Sequence, residues 1–232
     1  MNKFFHIIIL FFNINILFNG LDAKNVVISL GNACGVAGAL RDYHLRQEAY
    51  PFDWIVSPFD AVCEMITTDF ATFLDKEALE ISNPTTVFDQ VNGFKFIHDF
   101  PTHHGMNNTE HDPASTGPIR QDFLNYLPSI KEKYNRRISR FINALHGNDR
   151  IYLIRNRDVS IEQALMLCLL LEEKFPNLDF LLIVVDDENK ITSKIDQVNK
   201  RIKFFYGSKY IQYESNRAIV DWKKIFKKLN LI

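Results

Sequence analysis

Cysteine is scarce in this chain: Cys34, Cys63 and Cys168 are the only three among 232 residues. They form no CxxC pair and are odd in number, so a disulfide scaffold and a zinc ribbon both fit poorly, and at least one thiol is left over. An excess of either charge is also missing. The 27 basic residues balance 28 acidic ones for a net charge of -1, which leaves no bulk positive field to hold a phosphate backbone and removes the electrostatic footprint of nucleic-acid binding. Nine glycines and eight prolines exclude a collagen-like or linker-dominated chain. There is no internal repeat, low-complexity tract or acidic tail.

What the chain does have is apolar mass. Hydrophobic residues make up 47% and aromatics 13%, with 20 phenylalanines, enough to bury one medium-sized core. Part of that mass lies at the N-terminus. Lys3 precedes an apolar stretch from Phe4 to Phe18, broken by His6, Asn13 and Asn15, and then Asn19-Gly20-Leu21-Asp22-Ala23. The uninterrupted run Ile7–Phe12 is far shorter than the roughly 18 residues of a spanning helix, so residues 1–23 read as a secretory signal peptide. The expected destination is periplasmic or secreted, with no membrane association after cleavage and a membrane anchor if the segment is retained. Residues 24–232 then form a single α/β domain.

Along that domain, NVVISL (Asn25–Leu30) is a β-branched run followed by Gly31-Asn32 and a helical pattern over Val36–Leu45, so it predicts strand, tight turn, helix. Pro51–Val56 predicts a second short strand or extended segment. Ser57-Pro58 predicts a cap and proline opening a helix through Ile66, with more helix over Phe70–Leu79. Thr86–Asp89 and Phe94–Ile97 are short strand candidates, and Thr102–Gly117 is a polar, histidine-rich loop. Gln121–Leu145 carries a helical apolar stripe with a break expected near Pro128. Ile151–Ile154, Leu178–Val185 and Ile202–Tyr206 read as strands, with helices over Ser160–Lys174 and from Asp221. Continuous apolar strands such as LLIVV indicate burial on both faces. The fold expected is therefore a three-layer, Rossmann-like, mainly parallel sheet with helices on both faces.

A cysteine at a strand-to-helix turn meets free backbone N–H groups and the positive end of a helix, both of which favour thiolate, and the same N–H groups can bind an oxyanion. That singles out Cys34, with Gly31 and Asn32 in the turn beside it; the competing reading is a small buried hydrophobe. The matching base is His98, at the end of the strand FKFI; His103, His104 and His111 are rivals in the polar loop, and His44 and His146 sit on helices. Asp53, Asp99 or Asp158 could orient the imidazole. Arg155, at a strand's carboxyl end, could anchor a carboxylate or phosphate, or pair with a neighbouring acid. A metal site built from His98, Asp99, His103, His104, His111 and Asp112 is disfavoured: no HExxH helix exists and a solvated loop lacks groups to hold the rings. Neither metal nor cofactor is expected. Asn107-Asn108-Thr109 matches a glycosylation sequon.

Taken together, Ser29-Leu30-Gly31-Asn32-Ala33-Cys34, Ala37–Arg41, Tyr50-Pro51-Phe52-Asp53-Trp54, His98-Asp99-Phe100, Tyr134–Ile138 and Ile151–Arg155 resemble the family described as papain-like cysteine peptidases. The resemblance runs from about Val26 to Tyr206. It implies Cys34 as nucleophile and His98 as base, with PFDW, Arg136-Arg137 and Arg155 as motif positions. It also implies a papain-like α+β fold, with cysteine on a long helix and histidine on an antiparallel sheet. The alternation of strands and helices is instead similar to that of SGNH-type esterases and cysteine-containing capsule-biosynthesis acyltransferases. A plain SGNH esterase is disfavoured, because its serine and C-terminal Asp-x-x-His are missing.

Two functions follow as expectations. One is thiol-dependent acyl transfer onto water or another nucleophile, from an unidentified peptide, acyl or glycan substrate. The other is a non-catalytic glycan- or phosphate-binding module whose pocket is made by Trp54 and the first turn.

Overall fold

A computed structural model describes residues 23–103, 117–186, 199–206 and 220–232. The segment read as a signal peptide lies outside the described residues, apart from Ala23. Among the described residues no helix is long and apolar enough to cross a membrane.

The described residues make a mixed α/β structure with two sheets. Strands β1 (Asn25–Ser29), β5 (Arg150–Asn156), β6 (Phe180–Asp186) and β7 (Ile202–Tyr206) form a parallel sheet in the order β1-β5-β6-β7. Strands β2 (Leu79–Asn83), β3 (Thr86–Asp89) and β4 (Lys95–Phe96) form a separate antiparallel sheet. The chain leaves the parallel sheet after β1 through helices α1 (Cys34–Asp42) and α2 (Phe59–Thr67), makes the antiparallel sheet, and returns along α3 (Leu127–His146) to lay β5 beside β1. Helices α4 (Ile161–Lys174) and α5 (Trp222–Lys228) follow β5 and β7.

Side chains of the parallel strands alternate between two apolar clusters, as the period of a strand requires. Ile28, Ile151, Leu153, Leu182 and Val184 pack in one cluster with residues of α2, α3 and α4. Val27, Ile154, Leu181, Ile183 and Val185 pack in the other with Val36 and Leu40 of α1 and Ile225 and Phe226 of α5. The run LLIVV is thus buried on both faces. The first cluster also collects much of the phenylalanine: Phe52 stacks on Phe70 with ring centroids 5.5 Å apart, and Phe73 meets Phe94 and Tyr134 edge-on at 5.3 and 5.1 Å. Such pairs contribute about 0.5–1.5 kcal/mol each beyond their burial.

Several local expectations are corrected. Residues 51–54 form a turn and not a strand, because Phe52 is drawn into the core while the Tyr50 N–H closes onto the Asp53 carboxylate at 2.9 Å, and only Val56 is extended enough to bridge to Lys95. Phe70–Leu79 is not helical: Asp69, Phe70 and Leu74 hold left-handed backbone, and a single 3-10 turn, Lys76–Ala78, precedes β2. Pro128 starts α3 instead of breaking a helix, since a proline in the first turn gives up no intrahelical bond. Ser57 does not cap α2, whose first turn is preceded by Pro58. Ser160 and Asp221 do cap their helices, Ser160 in a reciprocal capping box with Gln163.

Candidate active site

The turn between β1 and α1 begins where Leu30 N–H donates to Ile154 O of the neighbouring strand at 2.8 Å. Gly31 and Asn32 then take left-handed backbone at φ 80° and 78°. Glycine is required at 31, where a Cβ would run into Ser57 Oγ and stand 3.1 Å from the Phe52 carbonyl. Asn32 tolerates the conformation because its side chain is held: Nδ2 donates to Asn156 O at 2.7 Å and to Asp158 Oδ2 at 3.1 Å. Its backbone N–H donates to Ser57 Oγ at 3.0 Å, and that of Gly31 to Ser29 Oγ at 3.1 Å.

Arg155 braces the same turn from below. It is 1% exposed, and its Nη1 donates to Leu30 O at 2.9 Å and to Ser57 Oγ at 3.2 Å, with the guanidinium 5.6 Å from the Phe59 ring centre. Burial pulls its pKa down to about 10. Gly31 and Asn32, expected to meet substrate, thus have their N–H groups engaged within the protein. The Arg155 side chain faces inward as well.

Cys34 is the first residue of α1. The residue before it, Ala33, is extended and offers no side-chain cap, so the first N–H groups of the helix have no intrahelical partner. His98 lies two residues beyond β4, and the antiparallel sheet is tied to the α1–α2 connection by paired bonds between Val56 and Lys95 at 2.9 and 3.1 Å. These two anchors bring Cys34 Sγ to 3.7 Å from His98 Nε2 across 64 residues of sequence. Burial pushes the half-buried Cys34 thiol up, its own backbone N–H pulls it down, and the Asp99 charge pushes it up again. The favourable helix terminus is therefore opposed by its surroundings.

The three aspartates have separate partners. Asp99 is 4% exposed; its Oδ1 accepts from Lys133 Nζ at 2.6 Å and its Oδ2 is buried without a hydrogen-bond partner. Burial, with Asp99 next, pushes the Tyr134 phenol well above its usual range. Asp53 accepts from Arg46 Nε at 3.0 Å as well as from the Tyr50 N–H; burial raises its pKa, and those two donors lower it. Asp158 holds Asn32. Among the described residues, Cys34 is the hydrogen-bond partner of His98, and none of these carboxylates reaches the ring.

Trp54 is half-buried, with the guanidinium groups of Arg41 and Arg46 at 5.7 and 5.6 Å from its ring centre. The other histidines are placed elsewhere. His103 is exposed and its N–H donates to Pro118 O at 3.0 Å, His44 follows α1 in left-handed backbone, and His146 meets the Phe175 ring edge-on at 4.9 Å. His104, His111, Asp112 and the sequon Asn107–Thr109 lie outside the described residues. Among the described residues no three His, Cys, Asp or Glu side chains gather to hold a metal ion. All three cysteines are free, and burial pushes Cys63 and Cys168 up to about 12. Sequence reasoning did not single out Ser57 or Lys133: a serine before proline reads as a cap, and a lysine on an amphipathic helix reads as solvated.

Comparison with known proteins gives a coherent answer. Uncharacterized protein R408 of Acanthamoeba polyphaga mimivirus is 25% identical over 229 aligned residues, covering 85% of this chain and 95% of that protein. No solved structure matches at a significant level. The family described as "Putative papain-like cysteine peptidase (DUF1796)" matches residues 25–189, from β1 to just past β6, with Cys34 and His98 both inside the match. As that match takes in well over half of the chain, the protein belongs to this family.

Proposed function

We propose that the protein is a thiol-dependent acyl-transfer enzyme with Cys34 as nucleophile and His98 as general base. The observation that carries this reading is the 3.7 Å approach of Cys34 Sγ to His98 Nε2 at a helix N-terminus. His98 takes the thiol proton, whose loss burial and Asp99 oppose, and sulfur attacks the carbonyl carbon. The carbonyl π pair moves onto oxygen, where N–H groups of the first turn of α1 receive it. Collapse of that intermediate re-forms the carbonyl and breaks the bond to the leaving group, which takes the proton from His98 and departs, leaving an acyl-Cys34 thioester. A second nucleophile then releases the acyl group. Water makes the enzyme a hydrolase such as a peptidase, and an amine or hydroxyl of a peptide or glycan makes it an acyltransferase.

The finer architecture belongs to the same reading. The two apolar clusters on opposite faces of the parallel strands support a three-layer, Rossmann-like arrangement with Cys34 at the first strand-to-helix turn. Residues 1–23 act as an export signal, and the half-buried position of Cys34 shields its thiol from an oxidising destination. The test uses p-nitrophenyl acetate as acyl donor, with release of p-nitrophenolate and intact mass as readouts. An acetyl group on Cys34 in the unmodified protein, lost in Cys34→Ala and strongly slowed in His98→Ala, is the expected result. Acetylation at the same rate in His98→Ala would remove the general base from the mechanism.

A further inference from the structure

The N–H groups of Gly31 and Asn32, in the turn that leads to Cys34, are both engaged by serine hydroxyls. An oxyanion formed at this site therefore cannot draw on those two, which leaves the first turn of α1 and any side-chain donor beside it. The carboxyl end of β5 supplies a candidate. Strand β5 runs parallel to β1, with Ser29 opposite Ile154, so Asn156 emerges at the same sheet edge as the turn leading to Cys34. Its carbonyl oxygen receives the Asn32 side chain at 2.7 Å, which ties the end of β5 to that turn.

Among the described residues no hydrogen bond holds the Asn156 side chain. Its Oδ1 is buried without a partner, and its Nδ2 donates to none of the described residues. That Nδ2 lies 3.7 Å from where a Cβ would stand on Gly35, the residue after Cys34. The backbone beyond it is held in an unfavourable shape: Arg157 and Asp158 both take positive φ, 63° and 54°, and are fixed by Arg157 N–H to Val185 O at 2.7 Å and by the Asp158 bond to Asn32. Consecutive left-handed residues without glycine concentrate where the surrounding structure enforces a particular placement.

We infer that Asn156 is a catalytic residue of this site, its side-chain amide donating to the oxyanion that forms when Cys34 attacks a carbonyl. The inference rests on the acyl-transfer reading and adds to it a side-chain donor beside the N–H groups of α1. The N–H groups at the start of α1 and the Asn156 amide approach the same helix end from two elements. Such a pair can hold the developing charge without reorganising at the moment of reaction.

Two reagents that attack the same sulfur separate this role from a structural one. Acetylation by p-nitrophenyl acetate passes through an oxyanion. Alkylation by iodoacetamide displaces iodide at a saturated carbon and forms none. Asn156→Ala and the similarly sized Asn156→Leu are expected to slow acetylation of Cys34 by ~10²–10³-fold, the loss typical of one missing oxyanion donor, with the alkylation rate unchanged. Acetylation at the unmodified rate in either variant that folds would overturn the inference and leave the acyl-transfer reading intact. Equal falls in both rates would also overturn it, assigning Asn156 to holding the helix end. An unmodified protein that is alkylated at Cys34 but never acetylated there would overturn the reading and the inference together. Folding of each variant is read independently by far-UV circular dichroism, and the leucine variant, which fills the space of the amide, serves if the alanine variant does not fold.

Discussion

Two glycines seven residues apart should respond to alanine in opposite directions. At Gly31 the backbone is left-handed, φ 80°, and a Cβ there costs about 1–2 kcal/mol from the conformation alone. The new methyl would also run into Ser57 Oγ and crowd the Phe52 carbonyl at 3.1 Å and the Phe52 Cβ at 3.3 Å. Ser57 must then move, and its hydroxyl is a hub: it accepts from Asn32 N–H at 3.0 Å and Arg155 Nη1 at 3.2 Å, and points at Leu30 O at 3.5 Å. Losing two or three such contacts at about 1 kcal/mol each brings the total for Gly31→Ala to about 3–5 kcal/mol, a large share of the stability of an ordinary domain. Gly38 lies inside α1 with no atom within 4 Å of its Cβ position, so Gly38→Ala should stabilise by about 0.5–1 kcal/mol through helix propensity. Urea unfolding followed by tryptophan fluorescence gives both values, with unchanged slopes confirming that the two-state comparison is sound. A loss below about 1 kcal/mol at Gly31, or a greater loss at Gly38 than at Gly31, would refute the account of the turn.

Buried thiols should make the fold sensitive to alkali. Cys168 has a folded-state pKa raised by burial to about 12 against an ordinary 9.0, so its contribution is complete below about pH 9 and is lost as pH rises toward 12, at up to about 1.4 kcal/mol per pH unit. Cys168→Ala should flatten the alkaline limb of a stability profile by that slope while lowering stability at neutral pH; an unchanged slope counts against a buried, neutral thiol. Asp99→Asn removes a negative charge that pushes the Cys34 thiol up, so the midpoint of the pH profile for iodoacetamide labelling of Cys34 should move to lower pH. Lys133→Met leaves that charge uncompensated and should move the midpoint to higher pH. A shift in the opposite sense in either variant would show that Asp99 acts on the thiol otherwise than by its charge.

The parallel sheet was legible because its strands carry continuous apolar runs between capped helices. Ile202–Tyr206 was delimited to the residue, and Ser160 and Asp221 announced their helices. Cys34 and His98 were legible as residues at the ends of elements, where side chains are held but not covered. Phe70–Leu79 misled because helical spacing of its apolar residues is compatible with another fate: Phe70 and Phe73 enter an aromatic cluster, and left-handed residues at 69, 70 and 74 carry the chain round to do so. Arg155 misled for a related reason. A charge after an apolar strand reads as a ligand contact, but β5 is covered on both faces, so the guanidinium finds carbonyl and hydroxyl acceptors inside the turn. That outcome depends on Leu30 and Ser57, residues 125 and 98 positions away, and no local pattern contains it.

The same dependence decides how the imidazole is supported. Each aspartate that could orient His98 is held by another partner: Asp53 by Arg46 and the Tyr50 N–H, Asp158 by the Asn32 side chain, Asp99 by Lys133. A carboxylate on a catalytic histidine fixes its tautomer and steadies the imidazolium that forms. Where the nucleophile is a thiol that second task is lighter, because the proton leaves a group far more acidic than a hydroxyl and the thiolate itself faces the imidazolium. The geometry among the described residues is that of a cysteine–histidine pair, with the half-buried Asp99–Lys133 ion pair setting the local field beside it. In such a site, replacing Asp99 disturbs the charge around the thiol before it disturbs the orientation of the ring.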